Sequence, residues 1–122
     1  MSKRKRPSSK KFREKYPREV GKFYHNEDKN GGHPVMVYEK RIKEDTYSIQ
    51  KFSSKRRKGR EKLLHNIDPN NDKKETWLIR KPKAVGYDDI KYLDKYKDYR
   101  VHPDDIETVK KYQKSGLKKK NR

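Results

Sequence analysis

The chain contains no cysteine. That excludes a disulfide framework and any thiolate-held metal, and it fits a reducing compartment, so a cytoplasmic protein is expected. Aliphatic residues are scarce: Leu, Ile, Val and Phe together make up under about a fifth of the chain. No apolar run approaches the roughly 18 residues of a membrane span. The cations at the N-terminus are not followed by an apolar stretch, which argues against a secretory signal. Negative charge is also in deficit, with 18 acidic residues against 37 Lys and Arg and a formal net charge of +19.

Few aliphatics with a high net charge is the composition of a disordered chain. Two features oppose that reading for the centre. Nine tyrosines and one tryptophan supply large, mostly apolar side chains, and the cations gather at the ends and in one loop. We therefore expect a disordered basic arm over residues 1–15, one small folded domain over 16–116 and a basic tail over 117–122. An excess of positive charge on this scale needs a polyanion. Nucleic acid gains affinity by counterion release, and RNA is the first partner expected. No basic segment has a wide apolar face, so no membrane partner is expected.

Glu19 to Tyr24 could form a first strand, and Asn26 to Gly32 has turn chemistry. Pro34 enters the apolar, β-branched Val35-Met36-Val37-Tyr38. Thr46 to Phe52 alternates, with Tyr47, Ile49 and Lys51 on one face and Thr46, Ser48, Gln50 and Phe52 on the other. Leu63 to Ile67 is a third apolar run, Asp68 to Asp72 a turn, and Glu75 to Arg80 a fourth strand. The period then changes. Tyr87 to Tyr96 carries Ile90 and Leu93 at helical spacing. Val101 to Ile106 reads as a second helix start, with Pro103 and acids in its first turn and Gly116 as its stop. Strands followed by helices predict a mainly β, α+β fold, a small antiparallel barrel with two short C-terminal helices.

Gly32-His33-Pro34-Val35 and Val37, opening a strand, with Ser53-Ser54-Lys55 closing the next, resemble the PemK/MazF-like toxins and the related ToxN/AbiQ type. Asn66-Ile67, Pro69-Asn70 and Trp77-Leu78-Ile79 look like a further segment of that pattern. The resemblance covers roughly residues 18–80. It implies an SH3-like barrel, RNA cleavage, a protein or RNA antitoxin and a toxin–antitoxin or mobile-element setting. In the best-known members the residue before the strand-opening proline is a catalytic arginine. Here it is His33, which can donate a proton or a hydrogen bond but is not always charged.

Cleavage without a metal would need a base for the ribose 2′-OH, an acid for the leaving 5′-oxygen and cations on the phosphoryl oxygens. His33, Ser53, Ser54 and Lys55 are the candidates for that chemistry. Arg56, Arg57, Lys58, Arg60 and Lys62 are the candidate phosphate contacts. Seven cations fall within residues 51–62. His25, His65 and His102 have no metal-ligand spacing, and neither a metal nor another cofactor is expected. Most tyrosines are expected in the core and one or two as base platforms. The same charges would equally serve a non-catalytic nucleic-acid or ribonucleoprotein module, or an inhibitor that fills a nucleic-acid enzyme's channel.

Overall fold

The computed structural model describes residues 8–28, 31–41, 44–71 and 73–120. Its strands are β1 (Phe23–Asp28), β2 (Gly31–Arg41), β3 (Thr46–Ser53), β4 (Arg60–Lys62), β5 (Trp77–Ile79), β6 (Lys83–Gly86) and β7 (Ile90–Lys91). Helix α1 (Lys10–Lys15) precedes them and α2 (Ile106–Lys120) follows. The sheet order is β4-β5-β3-β2-β1-β7, with every described pair antiparallel. β6 joins β3 as well, beside Thr46–Ile49, while β5 takes the far end of the same edge at Phe52 and Ser53.

Two apolar clusters lie on opposite faces. Tyr24, Val35, Val37, Ile49, Val85 and Ile90 form one. Phe23, Phe52, Leu63, Ile67, Leu78, Tyr96 and Val109 form the other. Alternation explains the division, since neighbours in one strand, such as Phe23 and Tyr24, point to opposite sides. Each fully buried side chain of the size of Ile49, Phe52 or Leu78 contributes about 1.5–3 kcal/mol. β3 is buried on both faces from Ser48 to Ser53. Gln50, fully buried, donates from Nε2 to the Val109 carbonyl (3.1 Å) and accepts from Gln113 (2.7 Å). That polar pair ties α2 to the centre of the sheet.

The expected barrel is not closed: no ladder joins β6 to β7 among the described residues. A single 3-10 turn, Tyr87–Asp89, carries the chain between them. The expected helix over Tyr87–Tyr96 is also absent. Ile90 pairs with Asn26 and must be extended, so the segment becomes β7 between two 3-10 turns. One C-terminal helix remains instead of two. It passes through Gly116 and into the expected tail, as far as Lys120.

Three further expectations change. The first strand begins at Phe23, because the Glu19 N–H donates to the Tyr24 hydroxyl (2.8 Å) rather than to a ladder. The run Leu63–Ile67 is not a strand; the Leu64 and His65 N–H groups both donate to Asp105 (2.8 and 2.9 Å). Within the expected arm, Lys10–Lys15 is helical, with Ser9 capping the Phe12 N–H (3.2 Å). Residues 1–7 and 121–122 lie outside the described residues.

Candidate nucleic-acid cleft

β2 and β3 run antiparallel with Val35 opposite Lys51, so the start of β2 lies beside the end of β3. This register brings Gly32-His33-Pro34 and Ser53-Ser54-Lys55 to one cleft of about 290 Å³. Arg57 and Arg60 reach it from the basic loop, and Asn66–Asp68, Lys74–Thr76, Lys95, Tyr96 and Tyr99 complete the walls. Five cations (Lys55, Arg57, Arg60, Lys74, Lys95) face two carboxylates (Asp68, Glu75), which favours an anion in the cleft.

Ser53 is nearly buried. Its Oγ accepts from Arg60 Nη1 (2.8 Å) and from the Lys55 N–H (3.2 Å). Arg60 Nη1 also donates to the Lys55 carbonyl (2.9 Å). Arg60 and Ser53 thereby set the turn that holds Lys55 at the rim. The opposite wall is fixed by Thr76, whose hydroxyl donates to Asn66 Oδ1 (2.7 Å) and accepts from the Ile67 N–H (3.1 Å).

The cationic candidates divide. Arg57 and Arg60 line the cleft, and both also border a wider hollow of about 540 Å³ with Arg56, Lys58, Arg80 and Trp77. Lys62 pairs with Glu75 (2.8 Å) and borders a third hollow, of about 410 Å³. Trp77 stands on the face of β5 opposite the buried Leu78, an aromatic surface among cations.

His33 lines the cleft, but alternation along β2 puts it with Val35 and Val37, on the face away from the Tyr96 cluster. The histidine on the Tyr96 side is His25, opposite Pro34 on β1. Its Nδ1 lies 3.1 Å from the Tyr96 hydroxyl, and its Nε2 lies 3.2 Å from Glu27 Oε1. Its ring covers Gly32 so closely that a Cβ there would sit 2.2 Å from His25 Cε1. A carboxylate–imidazole–phenol chain therefore ends at the cleft wall. Burial raises the Tyr96 pKa. Burial, then the adjacent Asp68 charge, pushes Tyr99 up to about 12. Both phenols are neutral donors at physiological pH.

His25, Lys74, Lys95 and Tyr99 were not among the site candidates read from the sequence, and Tyr96 was only one of several tyrosines that could serve as a base platform. Only the strand register and the fold of 94–99 onto the sheet bring them together, and neither is encoded as a local pattern. Compared with models of known protein families, with curated proteins and with solved structures, the chain matches none.

Proposed function

We propose that the protein binds RNA in this cleft, as a small basic protein of PemK/MazF-like character. The observation that carries the reading is the meeting of two separate motifs in one cation-rich cleft with aromatic walls. Lys55, Arg57 and Arg60 take backbone phosphates, and Tyr96, Tyr99 and the nearby Trp77 offer rings and donors to unpaired nucleotides. The finer fold reading, an SH3-like arrangement, is supported by β1, β2, β3, β6 and β7 running around the cluster of Tyr24, Val35, Val37, Ile49, Val85 and Ile90. A cytoplasmic setting with a protein or RNA antitoxin goes with the same proposal.

A second reading is metal-independent cleavage, favoured by the Glu27–His25–Tyr96 chain at the cleft wall. In that reaction the ribose 2′-oxygen loses its proton to a base and attacks phosphorus. The P–O5′ bond breaks, the 5′-oxygen takes a proton from an acid, and a 2′,3′-cyclic phosphate remains. His25 then joins His33 as an acid–base candidate, while Ser53 and Lys55 hold the phosphate.

Labelled single-stranded RNA incubated with the purified protein in EDTA tests both readings. Salt-sensitive binding is expected, weakened by Lys55→Ala and Arg57→Ala. Cyclic-phosphate ends that disappear in His25→Ala or His33→Ala support cleavage. Binding without cut ends favours the non-catalytic module. Absence of RNA affinity overturns the proposal, and capture of a protein partner in its place favours an inhibitor of a nucleic-acid enzyme.

A further inference from the structure

His65 and His102, remote in sequence, stack face to face, with ring centroids 3.6 Å apart and planes inclined by 21°. Asp104 closes the group. Its Oδ2 lies 3.0 Å from His65 Nε2 and 3.6 Å from His102 Nδ1. One ligand atom from each residue lies within 4.8 Å of the other two. Around a tetrahedral zinc-type ion with bonds of about 2.0–2.2 Å, neighbouring ligand atoms are about 3.3 Å apart. The two measured separations bracket that edge.

We propose that His65, His102 and Asp104 form a binding site for a divalent first-row transition metal of the zinc type. Imidazole nitrogen with one carboxylate suits such ions, whereas magnesium and calcium favour all-oxygen shells. Three protein ligands leave a fourth position for water.

The site is built on a fixed base. Asp105 is fully buried, and its two oxygens accept the Leu64 and His65 N–H groups (2.8 and 2.9 Å). This pins the His65 backbone to the segment leading into α2. The Asp104 N–H donates to His102 Nδ1 (3.1 Å), which keeps that nitrogen beside the carboxylate. On binding, the ion takes the Nδ1 lone pair and the amide turns to solvent. The stacked rings must also hinge apart so that both lone pairs meet one ion. The side chains of His65 and His102 are 42% and 40% exposed, so this movement displaces no core packing. The setting is acidic in a chain of net charge +19: Asp104, Asp105 and Glu107 follow within one turn. An ion here would staple the loop at His65 to the start of α2. That loop continues into Asn66–Asp68, a wall of the cleft, but the site does not depend on what the cleft binds.

The test is a titration of the full chain, stripped with EDTA, with Co²⁺ and Zn²⁺, and with Mg²⁺ as control. One Co²⁺ per chain is expected, with a visible ligand-field band, together with a rise in Tm on adding Zn²⁺ but not Mg²⁺. Both signals should vanish in His65→Ala and Asp104→Asn and persist in His33→Ala. Binding should weaken at acid pH, since a ligating imidazole must be deprotonated. In the unsubstituted chain, paramagnetic Co²⁺ should broaden the His65 and His102 ring resonances before that of His25. No saturable Co²⁺ binding overturns the proposal, as does binding unchanged by His65→Ala. If His65→Ala does not fold, the order of broadening decides, and His25 broadening first overturns it.

Discussion

Gly32 and His25 are diagonal neighbours across β1 and β2, with Gly32 opposite Glu27 and His25 opposite Pro34, and the imidazole lies where a side chain on residue 32 would begin. Gly32→Ala forces the ring off the strand and breaks its contact with Tyr96. A loss of about 1–3 kcal/mol is expected, read as a lowered urea midpoint, and an unchanged midpoint would mean that the ring swings aside without cost. Tyr99 gives a second residue-scale prediction. Its folded pKa of about 12 exceeds the ordinary tyrosine value of 10.0, so the fold holds the neutral phenol. This contribution is intact below about pH 10 and is lost as pH rises from about 10 towards 12. Tyr24 and Tyr96, raised first by burial, act in the same direction. Stability by urea titration should therefore fall as pH rises from about 10 towards 12, and less steeply in Tyr99→Phe. Neither pair, Gly32 with His25 or Tyr99 with Asp68, is visible in sequence, because each joins residues that only folding makes neighbours.

At the scale of elements, α2 is attached by the Gln50 side chain as well as by Val109. Gln50→Leu keeps similar bulk but removes the donor to the Val109 carbonyl and the acceptor for Gln113. It should cost about 1–3 kcal/mol. Hydrogen exchange in the first turns of α2 should quicken more than in β1; equal effects on both would mean that the bond does not anchor the helix. The strands β2 and β3 were legible because Val35–Tyr38 and Thr46–Phe52 carry β-branched and alternating residues. β6 and β7 were not. Lys83–Gly86 is short, with Val85 its one large apolar residue, and Ile90 with Leu93 imitates a helical spacing. Pairing of Ile90 with Asn26 overrides that local signal. The short α1 went unread for the opposite reason: its residues are charged, and Phe12 gains its partners Tyr16 and Tyr87 only in the fold.

For the whole molecule, charge sets the response to salt. If the cleft holds single-stranded RNA, log affinity should fall linearly with log salt concentration, by about 0.7 for each phosphate neutralised. Lys55→Ala and Arg57→Ala should each flatten that slope by about one such contact, whereas Lys10→Ala, outside the cleft, should leave it nearly unchanged. Filter-binding titrations at several salt concentrations read this directly, and equal flattening by all three would argue for diffuse attraction alone. The sequence by itself determined the basic character, the absence of cysteine chemistry and the central β2–β3 pair, because composition and short-range alternation are local properties. It also supplied the two motifs of the cleft. Only the tertiary structure decided that they meet, that His25 rather than His33 shares a face with Tyr96, and that the sheet stays open between β6 and β7. Those outcomes depend on strand register and on which face each residue takes. Both follow from the packing of remote segments, such as Ile90 beside Asn26 and Tyr96 against His25, which no stretch of sequence specifies alone.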